Sequence, residues 1–424
     1  MRFVLLMMML TMVLSSVDRT VLSILVQDIK LDLLLDDRQM GWLLGPAFTV
    51  FHMLASFPLA AIADRGRRRI VIAVGLFFWS LFTTLTSQVT GFWSLLFLRM
   101  GVGIGEASAS APGQSLIASY VAPEDRSRSL SVIAIGSVLG LALGMIVGGY
   151  VSEWAGWRMA FIVAGLPGIV FSIVFFATIR EPVAGTQRGA SWRETLRHMA
   201  AIPTYRWLLA GQAMALLSSL GRNLWEPTFL RRIYGMGAGE AGLWFFFTSP
   251  LPSAFGIFLG GFLADRLWRR DRRWSLWVPT IGQLVCVPLL AAFLLWPEEH
   301  RLPFGAIEGG FPVALFFSVA ASIAGSLYAA PMLSTTQGLS PVVMRARAAA
   351  LASAVSSLIG SGVGPLVVGD LNVRFEPTFG EEAIRYSLLT IVMTTLVSVV
   401  FWYAASRHVR LDFDRAEAAE PSEI

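Results

Sequence analysis

A chain of 424 residues that is 55% hydrophobic and only 14% charged, with a mean hydropathy of +0.65, lies outside the range of ordinary soluble domains. Its net charge of +5 comes from arginines gathered in short clusters between apolar stretches, the pattern of membrane orientation signals and not of a nucleic-acid partner. The single cysteine, Cys286, excludes an internal disulfide.

Apolar runs of about 20 residues, the length a bilayer requires, predict helices near 3–29, 39–62, 70–89, 92–120, 129–151, 157–180, 205–230, 240–264, 275–296, 312–338, 347–369 and 384–406. The expected fold class is an all-α membrane protein of twelve spans. Arginines follow every second span: Arg65, Arg67, Arg68 and Arg69; Arg126 and Arg128; Arg188, Arg193 and Arg197; Arg266 through Arg273; Arg345 and Arg347. By the positive-inside rule these loops and both termini are expected in the cytoplasm. The alternate loops differ, with 86–92 uncharged and 297–310 carrying Glu298, Glu299 and Glu308 against Arg301.

The first span holds Asp18 and Arg19 near its midpoint and is too long for a signal peptide, whose apolar region carries no such charges. The fourth holds Arg99 and Glu106. Seven helical residues are nearly two turns, so these two share a face and lie roughly 10 Å apart along the axis. Each charge at the centre of a spanning helix costs about 2.5–3.5 kcal/mol and normally faces a bundle interior or a water-filled path. Running the first span outward and the fourth inward puts Asp18, Arg19 and Glu106 at similar depth, with Arg99 about two turns nearer the outside. The four are expected to meet. Gly101, Gly103 and Gly105 do not form a dinucleotide fingerprint, because Glu106 stands in the final position and no separate strand precedes them. Gly101 and Gly105 have instead the spacing that lets membrane helices approach closely.

The second span ends Ala63-Asp64-Arg65-Gly66-Arg67-Arg68-Arg69, and the eighth ends Ala264-Asp265-Arg266-Leu267-Trp268-Arg269-Arg270. Pro123, Arg126 and Arg128 after the fourth span are echoed by Pro341, Arg345 and Arg347 after the tenth. The chain therefore reads as a six-helix unit occurring twice: an N-terminal bundle over 1–180, a linker over 181–204, a C-terminal bundle over 205–406 and a tail over 407–424. Ser191-Trp192-Arg193-Glu194 reads as a capping box that starts a short linker helix ending before Pro203. Trp192, Leu196 and Met199 fall on roughly one face of it, which suits either an interfacial helix or a solvated connector. The second half has fewer buried charges, chiefly Arg222 and Glu226 one turn apart in the seventh span. It is rich in large apolar groups, among them Trp225, Phe229, Phe316, Tyr328 and Met332.

The Asp-Arg loops after spans two and eight, the intramembrane Arg99 and the ladder Gly136, Gly140, Gly144, Gly148 and Gly149 resemble the major facilitator superfamily. Asp18-Arg19 and the stretch from Arg99 to Glu106 are similar to its spinster-like branch, whose animal members export sphingosine-1-phosphate or lysophospholipids. Two departures stand out: Ala60 replaces the superfamily's usual glycine in the first loop, and Gly66 comes one residue early. The resemblance implies two pseudo-symmetric six-helix bundles, alternating access, and Asp64, Arg65, Arg68, Asp265 and Arg266 as a cytoplasmic gate, with Asp64 approaching the start of span eleven near Ala348. It also implies an integral protein of a bacterial inner membrane, working as a monomer among membrane lipids.

No metal-ligand cluster or nucleophile-and-base motif points to an enzyme, and no cofactor is expected beyond a proton gradient. The expected substrate is an amphipathic anionic lipid, the alternative a small organic anion or drug. Arg19 is the candidate for its anionic head, since a planar fork at the midplane can grip a phosphate or carboxylate. Glu106 and Tyr328 complete the candidate substrate contacts. Asp18 and Glu106 are the candidate proton carriers, and Arg99, Arg222 and Glu226 the supporting ion-pair network. Burial disfavours a charged carboxylate and a neighbouring arginine favours it, so proton coupling stays open.

Overall fold

The computed structural model describes residues 2–121, 126–181, 192–302, 310–341 and 344–419. The chain runs α1 (Arg2–Ile24), α2 (Val26–Asp32), α3 (Asp37–Leu44), α4 (Pro46–Ile62), α5 (Arg68–Leu85), α6 (Phe92–Tyr120), α7 (Arg126–Ala155), α8 (Trp157–Thr178), α9 (Trp192–Ala201) and α10 (Pro203–Tyr234). It continues α11 (Ala238–Thr248), α12 (Pro250–Trp268), α13 (Trp274–Leu295), a hairpin of β1 (Arg301–Leu302) and β2 (Phe311–Pro312), α14 (Ala314–Ser326), α15 (Ala329–Gly338), α16 (Arg345–Ser357), α17 (Gly364–Phe379), α18 (Ala383–Met393) and α19 (Thr395–Ala419). Among the described residues nine helical runs are long and apolar enough to cross a membrane, and one of these, Arg347–Ala418, contains two of the expected spans. The two remaining expected spans are α6, which carries Arg99 and Glu106, and α10, which carries Arg222 and Glu226.

Several spans are broken where their sequence demands it. Pro46 follows Gly45 and has no N–H to donate, so α3 and α4 are separate helices. Asp36 and Gln39 form a capping box that starts α3, with Gln39 N donating to Asp36 Oδ1 at 2.7 Å. Gly66 takes a left-handed conformation, φ 79°, in the turn that leads into α5. That turn needs a residue without Cβ, which accounts for glycine at this position.

Contacts divide the chain into two units. The first comprises Met1–Thr186, Leu224–Phe246 and Pro365–Glu381; the second comprises Gln187–Asn223, Phe247–Gly364 and Glu382–Ile424.

In the first unit the glycine ladder of α7 receives α1. A Cβ on Gly136 would lie 2.6 Å from the Met9 carbonyl oxygen, one on Gly144 would meet Thr20 and Val17, and one on Gly148 would lie 3.2 Å from Val21. The two backbones therefore touch along most of α1, which fixes the helix carrying Asp18 and Arg19. α5 and α6 approach in the same way, since a Cβ on Gly105 would lie 2.7 Å from Trp79 Cβ and one on Gly101 2.6 Å from the Phe82 ring. Trp79, Leu76, Leu116 and Phe175 fill the core around these contacts.

At the end of this unit that holds Asp36, a second charged cluster forms. Asp37, 3% exposed, accepts from Arg232 Nη1 at 2.6 Å and Nη2 at 2.8 Å, from Lys30 Nζ at 2.7 Å and from Asn372 Nδ2 at 2.9 Å. Asp28 takes both Nη atoms of Arg231 at 2.8 Å. Arg231 and Arg232 interrupt the alternation of arginine clusters along the chain, and both are neutralised here.

The second unit has its own core of Leu208, Leu276, Met332, Trp402 and Phe413. α9 stops before Pro203 and packs Met199 beside Tyr205, Ala348 and Ala352. Its expected common face divides: Thr195 and Met199 are buried, while Trp192 and Leu196 are exposed. Residues 182–191, including the expected cap Ser191, lie outside the described residues. α19 continues far past residue 406 because partners hold it. Asp412 Oδ2 accepts the Thr204 N–H at 3.0 Å, Phe413 meets the Trp268 ring edge to face at 4.8 Å, and Arg272 reaches Asp414 at 3.1 Å and Glu417 at 2.9 Å.

Candidate functional site

The four intramembrane charges of α1 and α6 come together inside the first unit. Arg19 Nε donates to Glu106 Oε2 at 2.6 Å, and Ser15 Oγ, one turn earlier on α1, donates to the same oxygen at 2.8 Å. Adjacent helical residues point about 100° apart, so Asp18 turns away from Glu106 toward α5, where the Thr83 hydroxyl lies beside it. Asp18 is 2% exposed and Arg99 4%.

Arg99 shares a face of α6 with Glu106 but lies two turns from it. The direct partner of Glu106 is Arg19. Arg99 feels the charges of both Glu106 and Asp18, and its guanidinium carbon lies 5.4 Å from the centre of the Phe48 ring. The Arg19 guanidinium carbon lies 5.0 Å from the same ring. Phe48 stacks in turn on His52, with centroids 5.4 Å apart. One aromatic side chain of α4 thus holds two arginines near each other, which cation–π attraction favours.

The pair at the centre is lopsided. The Arg19 side chain is 47% exposed and that of Glu106 wholly buried. Arg19 is thus a half-exposed side chain in the middle of a spanning helix, anchored by a buried carboxylate, and a charge at that depth normally faces a bundle interior or a water-filled path. Asp18 Oδ1, Glu106 Oε1 and Arg99 Nε, all buried, have no hydrogen-bond partner among the described residues. Native interiors seldom leave such atoms idle, and each costs about 1–3 kcal/mol or more if it stays so.

The other expected site residues lie elsewhere. Tyr328, in the second unit, packs against Trp402 at 5.5 Å and hydrogen-bonds Ser219. Arg222 and Glu226 are both buried in α10, at 6% and 0% exposure. Of the expected gate residues, Arg65, Asp265 and Arg266 are exposed, and the Asp64 side chain lies outside the described residues. Arg68 is buried and its Nη1 donates to Ser119 Oγ at 2.7 Å. The backbone N–H groups of Arg68 and Arg69 donate to the two oxygens of Glu181 at 3.0 and 2.8 Å. A carboxylate at a helix N-terminus satisfies amides that have no partner within the helix.

Ser15, Phe48, His52, Thr83 and Glu181 are the contributors that sequence reasoning missed. Ser15 and Arg19 are spaced i, i+4 on one helix, as are Phe48 and His52, and that spacing was the available signal. Thr83 and Glu181 gave none, because their partners are distant in sequence.

Residues 8–298 match the profile described as Major Facilitator Superfamily. An MFS-type efflux pump of Mycolicibacterium smegmatis is 30% identical, over 94% of this chain and 91% of its own. A sphingosine-1-phosphate transporter of Xenopus tropicalis is 25% identical over 96% of this chain and 82% of its own. The crystal structure of a bacterial homolog of the human lysosomal transporter Spinster, inward-facing and unoccupied, superimposes with a TM-score of 0.86 at 26% identity, covering 97% of this chain and 98% of that one. With its helical spans, its glycine-mediated packing and these matches, the chain belongs to the Major Facilitator Superfamily as a multi-pass integral membrane transporter, and within that superfamily it is similar to the spinster-like proteins.

Proposed function

We propose that this transporter works by alternating access on an amphipathic anionic lipid, of the lysophospholipid or sphingosine-1-phosphate kind, with protons coupled to its movement. One observation carries the reading: Arg19 offers a half-exposed side chain at mid-span while Glu106, itself held by the Ser15 hydroxyl, anchors it. Binding an anionic head lets Arg19 exchange one carboxylate for another anion without leaving a bare charge in the bilayer. Glu106 then loses its partner, and uptake of a proton there or at Asp18 keeps the buried network neutral. Likeness to a sphingosine-1-phosphate transporter supports the lipid class. The arginine clusters support cytoplasmic placement of the Gly66 end and of both termini, in a bacterial inner membrane.

The likeness to a mycobacterial efflux pump favours a second reading, in which the same residues carry small organic anions or drugs. Purified protein in liposomes separates the two. Flux of lysophosphatidic acid or sphingosine-1-phosphate driven by an imposed pH gradient, saturable and absent for short-chain organic anions, supports the lipid reading. Saturable flux of small anions with none of lysolipids overturns it, and lipid flux indifferent to the gradient removes the coupling.

A further inference from the structure

A groove of about 510 Å³ opens on the first unit, and none of the four mid-span charges lines it. It is lined by Arg38 and Trp42 of α3 and by Leu366, Asp370, Leu371 and Arg374 of α17. Beside it the two helices meet closely: a Cβ on Gly41 would lie 2.9 Å from the Pro365 carbonyl oxygen, and one on Gly369 3.2 Å from Gly41 Cα. Close approach at these two glycines brings both helices together and leaves their larger side chains standing at the rim. Trp42 is 46% exposed there.

The charges on this rim do not cancel. Asp370 accepts from Arg38 Nη2 at 2.8 Å and from Arg374 Nε at 2.6 Å, so one carboxylate serves two guanidinium groups. Both arginines remain largely open, with side chains 48% and 67% exposed. Asp370 orients the two forks side by side and leaves one net positive charge. Arg38 is the second residue of a span that begins at Asp37, so this charge lies where hydrocarbon meets water, and Trp42 one turn deeper is of the kind enriched there.

We propose that this groove is a binding site for an anionic phospholipid of the surrounding bilayer. The phosphate lies between Arg38 and Arg374, and an acyl chain runs down along Trp42, Leu366 and Leu371. Two pre-oriented guanidinium groups match a phosphodiester through charge-assisted hydrogen bonds, and the apolar wall below them matches a chain that free phosphate lacks. Basic pockets between spans recognise acidic headgroups in this way. Because α3 and α17 each supply one arginine, the bound lipid bridges the two helices and steadies their contact at Gly41 and Gly369.

The test uses full-length protein in phosphatidylcholine liposomes doped with a photoactivatable phosphatidylglycerol, followed by peptide mapping of the label. Labelling is expected on peptides containing Trp42 or residues 366–371, with unlabelled phosphatidylglycerol competing and inorganic phosphate not. In the Arg38→Gln/Arg374→Gln variant that labelling should fall about tenfold, while melting in pure phosphatidylcholine liposomes stays near that of the parent. Undiminished labelling in the variant overturns the proposal, as does competition by inorganic phosphate or equal competition by phosphatidylcholine. Should the double variant fail to fold, Trp42→Ala, which keeps both arginines, must reduce labelling by the acyl-chain probe or the site is wrong.

Discussion

Arg19 and Glu106 form an ion pair at 2.6 Å whose two members live in different surroundings, one half exposed and the other wholly buried. Removing either member is therefore not equivalent. Arg19→Ala leaves the buried carboxylate with Ser15 as its one hydrogen-bond donor among the described residues and only the more distant charge of Arg99 to offset it, a loss on the order of 3–5 kcal/mol. Glu106→Gln leaves an arginine that can hydrate. The expected order of melting temperatures in detergent is Arg19→Ala lowest, then Glu106→Gln, then parent. Equal melting of the two variants would show that the pair is symmetric after all.

Arg19→Lys separates charge from geometry. An ammonium keeps the neutralisation of Glu106 but cannot present two parallel donors to a phosphate. Flux of a phosphate-headed lysolipid should drop about tenfold or more, the scale of one lost charge-assisted hydrogen bond, in a protein that melts like the parent. Unchanged flux and affinity in Arg19→Lys would remove Arg19 from headgroup recognition.

The proposed proton coupling rests on Asp18 and Glu106, the buried acids beside the arginines. Glu106→Gln should flatten the dependence of transport on pH, and Asp18→Asn should do so if the proton resides on the α5 side, next to Thr83. Liposome flux measured between pH 5.5 and 8 decides this. Both variants keeping the parent's full pH response would place the coupled proton elsewhere.

The cluster around Asp37 gives a stability prediction away from transport. Asp37→Ala strands Lys30 and both donors of Arg232 around a buried cavity, and should destabilise by about 3–5 kcal/mol. Arg232→Gln should cost less, because Lys30 and Asn372 still satisfy Asp37. A double-mutant cycle in urea or by heat that returns no coupling between Asp37 and Arg232 would contradict this.

Much of this architecture was legible before any coordinates. Span length, arginine alternation and the echo of Asp64-Arg65 in Asp265-Arg266 gave a polytopic helical bundle, and the price of charge in a bilayer pointed to Asp18, Arg19, Arg99 and Glu106. What remained hidden depends on rotation and on distance along the chain. Sequence spacing put Arg99 and Glu106 on one face, but side-chain reach, which decides the partner, gave Glu106 to Arg19 on another helix. Asp37 is exposed by any local reading and is buried only because residues 232 and 372 arrive from far away. Breaks such as Gly45-Pro46 were visible as residues but not as the ends of separate helices, since an apolar run looks the same whether straight or broken.

The last helix should be tied down through Asp271 in a way that depends on pH with a definite sign. Arg410 of α19 grips this carboxylate, and the Arg273 N–H donates to it at 2.9 Å. Hydrogen bonding from Arg410 holds the Asp271 carboxyl below the ordinary value of 3.8 against the opposing effect of burial, and the Arg273 backbone N–H adds to the lowering. A lowered folded-state value means the tie contributes fully above the ordinary carboxylate range and is lost as pH falls through the folded value. Asp414 and Glu417, 65% and 62% exposed, also hold α19 through Arg272, so Asp271→Asn loosens the helix without freeing it. A nitroxide on Ala418→Cys should be more mobile in the Asp271→Asn background than in the parent, by the same margin at every pH from 8 down to about 4. Below that the margin should close, because the parent's carboxyl is then protonated as well. A margin that instead shrinks as pH rises toward 8 would reverse the sign of the linkage and take Asp271 out of the tie.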